Sequence, residues 1–595
     1  MRSARAEGRL GSGLRRRHTR WMDALERALV ELERSLGPSV VTTDLATREA
    51  HAGDESECAP HVPDAVVVAR STEDVSRTLA ICGSHLVPVT PRAAGTGKSG
   101  GCIPIRGGIV LSLAALRGID EIDAGDQLAV VRPGTVLGEL RRAVEAEGLH
   151  YGPDPNSWES CTIGGNVAEN AGGPGTLRHG STRDWVLGLT TVLPDGSVHE
   201  LGRRTHKGVT GYDLTSLMVG SEGTLGVVTR VTCRLVPRPE RTATLLVALG
   251  ALEAVGPATN ALLRAGPVRC IELLDDLTLA PLRSASPIPL PAGTEALLLV
   301  EFEGADAEVE RALERTSAAL DPVRPLELLV AKHAADRERI WSVRRAMSYT
   351  LKASARFKRS DDVVVPRSRL GDLLVACRRI AAQHGVRMPS YGHAGDGNLH
   401  VNFLWDEPGA LPAVERAQRA LFEEVIALRG TLSGEHGIGL SKRDALHLEQ
   451  TPGLIELQRR IKAVFDPADV LNPGKIFPAR HACDPETAVA RIRKHGYAAP
   501  GRGAGDVLRA GRVLPYILQA GDRQGAVIAI DHIALVVDGK GCGCLPPGTG
   551  ELAHLLPAVA CGVVFPEILA VAVAIETVTA RSPTAAQWNG AVPTF

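Results

Sequence analysis

Two histidines stand in a short segment whose spacing could build a metal site. The segment is SYGHAGDGNLHVN, at residues 390–402, and Asp396-Gly397 within it is a strong signal for a two-residue hairpin turn. With that turn, His393 pairs directly with His400 on one face, with their Cβ atoms roughly 5 Å apart. Two imidazoles at this separation can share one divalent metal. A purely structural pair of histidines is the alternative that spacing alone leaves open.

A second segment, SGEHGIG at residues 433–439, offers a carboxylate beside an imidazole. Its glycines allow backbone angles at which neighbouring side chains serve one site. Glu435 could complete a His-His-Glu set with an open position for substrate. His436 would then remain available as a general base. A plain surface loop is the competing interpretation, and the presence of two such segments in one chain disfavours it.

An arginine on a predicted helix could bind a carboxylate. Residues 341–352 read as helical, and Arg344, Ser348 and Lys352 then lie on one face at i, i+4 and i+8. The planar guanidinium of arginine suits bidentate binding of a carboxylate. A solvated helix face is the alternative interpretation.

Two glycine-rich segments could bind a large planar cofactor. Residues 151–173, YGPDPNSWESCTIGGNVAENAGG, contain almost no run able to form a helix, and they mix small residues with side-chain donors. Small residues let the backbone approach a flat ligand, and successive N–H groups bind anions. The second segment, PRAAGTGKSGG at residues 91–101, follows an apolar run.

The second segment imitates two nucleotide-binding motifs that it does not satisfy. Gly95, Gly97 and Gly100 fit G-x-G-x-x-G, with Asp120 near the position of the ribose-binding acid. That motif needs a helix directly afterwards, and Pro104 with the glycines at 107 and 108 predicts none. A nucleoside-triphosphate loop is disfavoured because Arg92 stands where its first glycine is required and because no helix is predicted to follow. A phosphate-binding loop between two strands remains.

Composition limits the class of protein. The 595 residues allow two to four domains. A net charge of −1 and 3% aromatic residues argue against a nucleic-acid partner. The 11 scattered cysteines contain no C-x-x-C, which predicts reduced thiols, a cytoplasmic protein and no iron–sulfur cluster on this chain. No uncharged apolar span reaches 18 residues, so we expect at most a peripheral contact with the inner face of a membrane.

Periodicity along the chain predicts several successive units. We expect an amphipathic helix at 21–36, alternating strands and helices at 60–113, a mixed sheet at 128–237 with a hairpin at 187–201, and an α+β unit at 241–330. The arginine-rich residues 1–20 read as a tail, or as a start placed too early, with Met22 as the alternative start. Residues 479–595 carry no motif that we can interpret.

These motifs together resemble the vanillyl-alcohol-oxidase superfamily of flavoenzymes, and within it the branch of D-lactate dehydrogenases and the flavin subunit of glycolate oxidase. Residues 91–101 resemble its pyrophosphate loop, and Asp154-Pro-Asn with residues 162–173 resembles its isoalloxazine-binding segment. The segments GSEGTLG at 220–226, GHAGDGNLH at 392–400, GEHGIG at 434–439 and LNPGK at 471–475 resemble its other motifs. The resemblance covers about residues 40–478.

The resemblance implies an α+β fold, in which a PCMH-type FAD-binding domain of two subdomains is followed by an α+β cap of the FAD-linked oxidase C-terminal type. The implied limits are a tail and helix at 1–40, the FAD-binding domain at 41–239, the cap at 240–478 and an extension of unknown structure at 479–595. It implies non-covalent FAD, because the phosphate loop has no histidine to form a covalent link. The implied FAD-binding residues are Pro91, Gly95, Thr96, Gly97, Ser99, Gly100, Gly101, Pro133, Gly134, Asp154, Pro155, Thr162, Gly164, Gly165, Asn166, Ala168, Asn170, Gly172, Gly173, Glu222, Gly223, Gly226, Val228 and Asn472.

The resemblance also assigns roles at the reacting centre. It implies a divalent metal, zinc or manganese, held by His393, His400 and Glu435, with His436 as the base. Arg344 matches the carboxylate-binding arginine, whose basic companion falls at Lys358 or Arg359. The implied substrate-binding residues are Arg344, Ser348, Lys358 and Asn398. Two departures from the family pattern are Ala93 in place of a glycine and Lys98 in place of an apolar residue.

The function implied is FAD-dependent oxidation of a D-2-hydroxyacid, such as D-lactate or glycolate, to the 2-oxo acid. The hydride would pass to flavin N5 after metal-assisted deprotonation of the hydroxyl. The electrons would leave to a quinone, a cytochrome, an electron-transfer flavoprotein or an iron–sulfur subunit. One alternative is other chemistry on the same fold, such as that of alkylglycerone-phosphate synthase. The other is a non-catalytic FAD-binding subunit of an oxidase complex.

Overall fold

The computed structural model describes residues 12–282, 290–331 and 333–478, together with four strands between 515 and 545; for residues 12–20 and those four strands it gives secondary structure only. The chain divides into two compact units, residues 1–478 and 479–595. In the second unit, four strands form an antiparallel sheet in chain order: β19 Pro515–Ala520, β20 Arg523–Ile530, β21 Ile533–Asp538 and β22 Gly541–Leu545. The arginine-rich residues 1–11 lie outside the described residues.

The first unit begins with a small layer of helices on a four-stranded sheet of order β1-β2-β4-β3, parallel except for β1. The predicted helix at 21–36 is confirmed and begins earlier, at Ser12. The Ser71 side chain accepts a hydrogen bond from the Asp74 N–H and so caps the next long helix. The elements are α1 Ser12–Leu36, β1 Val41–Thr42, α2 Leu45–Ala50, β2 Ala65–Val68, α3 Thr72–His85, β3 Val89–Arg92 and β4 Ile109–Ser112.

Residues 93–108, between β3 and β4, contain neither helix nor strand. The strand–loop–strand frame predicted from Pro104 and its neighbouring glycines is therefore confirmed. Because no helix follows the glycines, the nicotinamide-dinucleotide and nucleoside-triphosphate interpretations are excluded by the structure.

The next part is a five-stranded sheet of order β5-β6-β10-β8-β9. The predicted hairpin is confirmed, but the predicted mixed sheet is wrong, because every pair in this sheet is antiparallel. Short turns join β5 to β6 and β8 to β9, which makes these pairs antiparallel, since a parallel pair would need a long crossover. The elements are β5 Ile119–Asp123, β6 Leu128–Val131, α4 Leu137–Ala146, β7 Leu149–His150, α5 Ile163–Glu169, α6 Thr176–His179, β8 Val186–Val192, β9 Val198–Gly202, α7 Leu214–Met218, β10 Val227–Arg234 and β11 Val236–Pro237.

The expectation that residues 151–173 lack a helix is wrong, since α5 occupies Ile163–Glu169. Burial outweighs the low helix propensity of its two glycines, because Ile163 and Val167 lie one turn apart and both enter the core. The lack of a side chain on Gly164 also allows α5 to approach Pro133 closely, since a Cβ on Gly164 would lie 2.6 Å from the Pro133 Cβ. Asn170, in the left-handed region at φ 53°, ends the helix.

The third part is a seven-stranded antiparallel sheet of order β15-β12-β14-β13-β17-β18-β16, with helices on both faces. The strands are β12 Arg241–Leu249, β13 Val268–Asp275, β14 Ala296–Gly304, β15 Glu327–Val330, β16 Phe357–Val364, β17 Ser390–His393 and β18 Asn398–Trp405. The helices are α8 Val255–Ala265, α9 Asp276–Leu279, α10 Asp306–Leu320, α11 Ala334–Ala353, α12 Leu370–His384, α13 Leu411–Ala427, α14 Leu446–Glu449 and α15 Pro452–Phe465.

The two faces of this sheet differ in character. Helices α8, α10, α12 and α13 bury their apolar sides in the large core on one face. The opposite face packs against α11 and carries polar side chains at alternate positions, because strand residues point to opposite faces in turn. Helix α11 and this polar face build the candidate site. Within the described residues, no helix is both long and apolar enough to cross a membrane.

The chain returns from this third part to the first sheet through residues 470–476. Leu471 bridges to Val89, and the Asn472 N–H donates to the Val89 carbonyl at 2.7 Å. The buried Asn472 side chain donates to the carbonyls of Gly101 at 2.9 Å and Glu222 at 2.8 Å. One amide therefore joins the phosphate loop to the segment at 220–226.

We expect Asn472→Ala to lower the free energy of unfolding by about 1–3 kcal/mol, because two buried carbonyls lose their donor. The measurement is urea denaturation. The control is Gln458→Ala on α15. This half-buried side chain donates one hydrogen bond, to the Gln450 side chain, and its loss should change the midpoint little. Equal midpoints for wild type and Asn472→Ala would contradict this role.

Candidate active site

The hairpin of β17 and β18 has a different register from the predicted one. His393 pairs with Asn398 and Tyr391 pairs with His400, so residues 394–397 form a four-residue loop, and the prediction of directly opposite histidines is wrong. The Gly395 N–H donates to a carbonyl of β13 at 3.1 Å, which keeps this residue out of the hairpin ladder. Both histidines still point to the same face, and their rings lie 5.2 Å apart.

Glu435 comes between these two histidines. Its Oε1 lies 3.4 Å from His393 Nε2 and 3.5 Å from His400 Nε2. One ligand atom from each of the three residues lies within 4.8 Å of the others. Ligand atoms about 2.1 Å from a common ion at tetrahedral angles would lie roughly 3.4 Å apart. The donor set and its spacing therefore fit a divalent metal.

Glu272, which the sequence reasoning missed, orients one of these histidines. Its Oε1 lies 2.6 Å from His393 Nδ1, and this fixes the ring with Nε2 toward Glu435. Burial alone would lower the pKa of His393, but Glu272 and Glu435 outweigh burial and raise it well above its usual value. A buried acid inside the apolar run of β13 was the available signal.

Asp362, also missed, holds the segment that carries Glu435 and His436. Its Oδ2 accepts hydrogen bonds from the Ser433 hydroxyl and from the backbone N–H groups of residues 434, 435 and 436, at 2.7–3.1 Å. Its Oδ1 accepts from Asn398 Nδ2 at 2.5 Å. Burial raises the pKa of Asp362, but His436, Lys442, His400 and the Glu435 N–H outweigh burial and bring the pKa well below its usual value.

His436 stacks on His400, with ring centroids 5.2 Å apart and planes 12° apart. At 22% exposure the His436 side chain is more accessible than those of His393, His400 and Glu435. Burial lowers the pKa of His436, which favours the neutral imidazole, and Asp362 opposes this. Asp362, His400 and His436 also form a possible metal-binding triad. Because Asp362 Oδ2 already accepts four hydrogen bonds, the set with Glu435 fits a metal better.

Arg344 lies on α11 against the same face of the sheet. Its Nε donates to Glu272 Oε2 at 2.7 Å, its Nη2 lies 2.6 Å from the same oxygen, and its guanidinium lies over the Tyr391 ring. Within the described residues, Nη1 has no hydrogen-bond partner. Glu272 thus contacts both Arg344 and His393, so the arginine lies one carboxylate away from the donor set that Glu435 forms with the two histidines.

The other predicted substrate-binding residues are not all close to this set. The Lys358 ammonium donates to the Ser348 hydroxyl at 3.0 Å, and burial lowers the pKa of this lysine to about 8. Lys358 lies four residues along β16 from Asp362, which corresponds to about 13 Å. The Asn398 amide donates to Asp362 and to the Val363 carbonyl, so both of its N–H groups are already used.

The predicted FAD-binding residues come together from four segments. A Cβ on Gly165 would touch Ala93, one on Gly101 would lie 3.0 Å from Glu169 Oε1, and one on Gly223 would lie 2.8 Å from Pro91. The members on these segments are Pro91, Gly95, Thr96, Gly97, Ser99, Gly100 and Gly101 in the phosphate loop; Pro133 and Gly134 before α4; Asp154, Pro155, Thr162, Gly164, Gly165, Asn166, Ala168, Asn170, Gly172 and Gly173 around α5; and Glu222, Gly223, Gly226 and Val228 leading into β10, with Asn472 beside them.

Two of these residues are used by protein contacts. The Glu222 carboxylate accepts from the N–H groups of Ile438 and Gly439 at 2.8 and 2.7 Å. The Asp154 carboxylate accepts from the Gly175 N–H at 2.8 Å and pairs with Arg269. Their side chains therefore help to position the segments that carry the other predicted FAD-binding residues.

Three other side chains fit a bound cofactor. Ser99 Oγ, Thr162 Oγ1 and Asn166 Nδ2 are buried without a hydrogen-bond partner in the described structure. They lie on the two glycine-rich segments, whose contact through Ala93 and Gly165 brings these groups to one region. A Cβ on Gly172, at the end of this region, would lie 3.0 Å from Glu435 Oε2, so the region adjoins the donor set of Glu435 and the two histidines.

Comparison with known proteins agrees with this arrangement. Residues 63–202 match the family model "FAD binding domain", and residues 238–476 match "FAD linked oxidases, C-terminal domain". The chain is 38% identical over 447 residues to the Glycolate oxidase subunit GlcD of Bacillus subtilis, covering 74% of this chain and 94% of that protein. It is 32% identical over 460 residues to the D-2-hydroxyglutarate dehydrogenase of Stutzerimonas stutzeri, covering 76% and 98%.

Solved structures agree on the fold. A p-cresol methylhydroxylase with substrate bound has a TM-score of 0.63 at 16% identity, over 76% of this chain and 97% of that chain. An alkyldihydroxyacetonephosphate synthase has a TM-score of 0.60 at 19% identity, over 76% and 86%. At this identity the likeness concerns the fold alone.

An FAD-binding part followed by a cap with a polar sheet face defines an FAD-dependent oxidoreductase. The chain belongs to the FAD-linked oxidase family. The predicted α+β fold of PCMH type with an FAD-linked oxidase C-terminal cap is confirmed, and so is FAD as its cofactor. The limits at 41–239 and 240–478 stay a prediction.

We expect Asp362→Asn to lower the free energy of unfolding by about 3 kcal/mol, because an amide cannot accept from both the loop N–H groups and Asn398. The matched control is Asp361→Asn. Asp361 is also buried, but burial raises its pKa and it accepts one side-chain hydrogen bond, from Gln418. Urea denaturation measures both variants, and a loss for Asp361→Asn as large as that for Asp362→Asn would contradict the role of Asp362.

Proposed function

We propose that the protein oxidises a D-2-hydroxyacid, such as D-lactate or glycolate, to the 2-oxo acid. The observation that carries the proposal is the donor set of His393, His400 and Glu435, which adjoins both Arg344 and the glycine-rich FAD-binding region. An α-hydroxyacid offers a carboxylate and a neighbouring hydroxyl, which match an arginine beside a metal. Relatives named as hydroxyacid oxidases and dehydrogenases support the same substrate class.

His393, His400 and Glu435 would hold the metal, zinc or manganese, and residues of the four glycine-rich segments would hold FAD without a covalent link. When bound, the metal acidifies the substrate hydroxyl and the flavin accepts the hydride at N5. Glu272 fixes the His393 ring, and Asp362 fixes the backbone on which Glu435 stands. These two acids therefore set the geometry of the donor set.

Arg344 would bind the substrate carboxylate through its guanidinium, while Glu272 keeps that group in place. His436 would accept the hydroxyl proton at Nε2, which lies 3.7 Å from Glu435 Oε1. Its lowered pKa suits a base that must be neutral before reaction. Ser348 and Lys358, which lie farther along the sheet, would contact the distal end of the substrate.

Two other functions use the same fold. Synthesis of the alkylglycerone-phosphate type, without net redox change, does not require a His-His-Glu set, so the presence of this set favours hydroxyacid oxidation. A non-catalytic FAD-binding subunit would not need His436 or Arg344 beside that set. Turnover by the isolated chain with an artificial electron acceptor separates these functions from the proposed one.

The chain needs a partner that reoxidises the flavin. A relative named as a subunit of glycolate oxidase supports assembly with other subunits. The acceptor would be a quinone, a cytochrome, an electron-transfer flavoprotein or an iron–sulfur subunit. A cytoplasmic location, with at most peripheral contact with the membrane, belongs to the same proposal.

Enantiomers of the substrate give the first test of this proposal. D-lactate should bleach the bound flavin under anaerobic conditions, and L-lactate should do so far more slowly. One arginine, one metal and one fixed flavin face allow only one α-hydrogen to point at N5. Stopped-flow absorbance of the flavin measures both rates. Equal rates for the two enantiomers would contradict the proposed geometry.

Histidine variants separate the metal ligands from the base. His393→Ala and His400→Ala should lose both metal and activity while keeping FAD. His436→Ala should keep metal and FAD and lose about a hundredfold in rate, which is the usual order for a removed general base. Metal analysis, flavin absorbance and turnover are measured for each, with the exposed His199→Ala as the control. Loss of metal from His436→Ala but not from His400→Ala would reverse the assignment.

A further inference from the structure

A buried cluster of charged side chains lies apart from the donor set of His393, His400 and Glu435. At its centre the Arg269 guanidinium, 8% exposed, pairs with Asp154, lies 2.9 Å from Glu301 Oε2 and 3.4 Å from Glu303 Oε2. Glu301 is fully buried, and Glu303 also contacts His179 at 2.9 Å. Since an unpaired buried charge is costly, these groups depend on one another.

A β-bulge directs Arg269 into this cluster. Val268 pairs with Phe302 and Cys270 pairs with Glu301, so Arg269 is the extra residue on β13. In a regular strand its side chain would point away from the Glu301 side, toward the apolar core under the helices. The bulge changes this direction and brings the guanidinium to the polar face.

Each end of the cluster reaches a segment of the candidate site. Glu301 Oε1 accepts from Trp341 Nε1 at 2.6 Å and from Arg337 Nε at 2.6 Å, both on α11, and Arg344 follows Trp341 by one turn. Asp154 belongs to the predicted isoalloxazine-binding segment, and its Oδ1 accepts from the Gly175 N–H. Arg269 thus joins the helix that carries Arg344 to the FAD-binding region.

We propose that Arg269 is a positioning residue that sets the distance between Arg344 and the flavin. The inference rests on the proposed function for what Arg344 binds, but the link itself rests on the contacts of Arg269. A guanidinium is needed because its fork contacts Asp154 and Glu301 at once, whereas an ammonium is a single point charge. A small displacement between a bound carboxylate and the flavin would slow hydride transfer strongly.

The test is Arg269→Lys, which keeps the buried positive charge and is therefore expected to fold. We expect FAD and metal contents equal to wild type, a changed visible circular dichroism of the bound flavin, and a limiting rate of flavin reduction about 10- to 100-fold lower. The matched control is Arg241→Lys on β12, where the partly exposed arginine contacts Asp306 at 3.0 Å and Glu310 at 2.7 Å. This control should match wild type in all four measurements.

A second variant tests the proposal independently, in case Arg269→Lys does not fold. Asp154→Asn leaves Arg269 paired with Glu301 and Glu303 and should show the same change in dichroism and rate. Combined with Glu301→Gln, its effect on the logarithm of the rate should be non-additive, since both act through Arg269. The proposal would be overturned if folded Arg269→Lys or folded Asp154→Asn had the dichroism and the rate of wild type. Strictly additive effects of Asp154→Asn and Glu301→Gln on the logarithm of the rate would also overturn it.

The dichroism also keeps this test distinct from that of the proposed function. If no hydroxyacid reduces the wild-type flavin, the proposed function fails. The dichroism of Arg269→Lys and Asp154→Asn would still support or overturn the positioning role.

Discussion

The candidate site depends on one buried carboxylate, that of Asp362. Its Oδ2 collects one hydroxyl and three successive backbone N–H groups, and this fixes a glycine-rich loop that has no helix or strand of its own. Because Glu435 and His436 stand on that loop, their positions relative to β17 and β18 follow from this interaction. The energetic reason is general: a buried anion is stable only when its hydrogen bonds are satisfied, so the loop and the carboxylate each require the other.

The same principle links the donor set of His393, His400 and Glu435 to the rest of the protein. Glu272 orients His393 and contacts Arg344, while Arg269 joins Asp154 to the acids beneath α11. The polar face of the cap sheet therefore carries two groups of buried charges, and each spans elements far apart in sequence. Long antiparallel strands suit this task, since alternate residues point to one face and neighbouring strands bring them side by side. The opposite face, which is mostly apolar, supplies the core that holds the sheet in place.

Local sequence patterns correctly predicted the elements whose turns and helix ends have strong residue preferences. The cap at Ser71, the hairpin at 187–201 and the absence of a helix after Gly100 follow from short-range preferences. The hairpin register at 394–397 did not, because a hydrogen bond from Gly395 to a strand distant in sequence competes with the two-residue turn. Helix α5 was not predicted for a related reason, since the burial of Ile163 and Val167 outweighs the low helix propensity of two glycines. Asp362 and Arg269 stand out only once strand register is known. Glu272 carried a usable signal, as an acid within the apolar strand β13.

The central claim is that a metal on His393, His400 and Glu435 is required for oxidation of a hydroxyacid by the bound flavin. The most direct measurement is anaerobic flavin reduction by D-lactate, or by the best substrate of a 2-hydroxyacid panel, before and after removal of divalent metal by a chelator. The account predicts that the metal-depleted protein keeps its FAD, that bleaching by substrate nearly stops, and that added zinc or manganese restores it. Bleaching at an unchanged rate in protein shown to be free of metal would contradict the account.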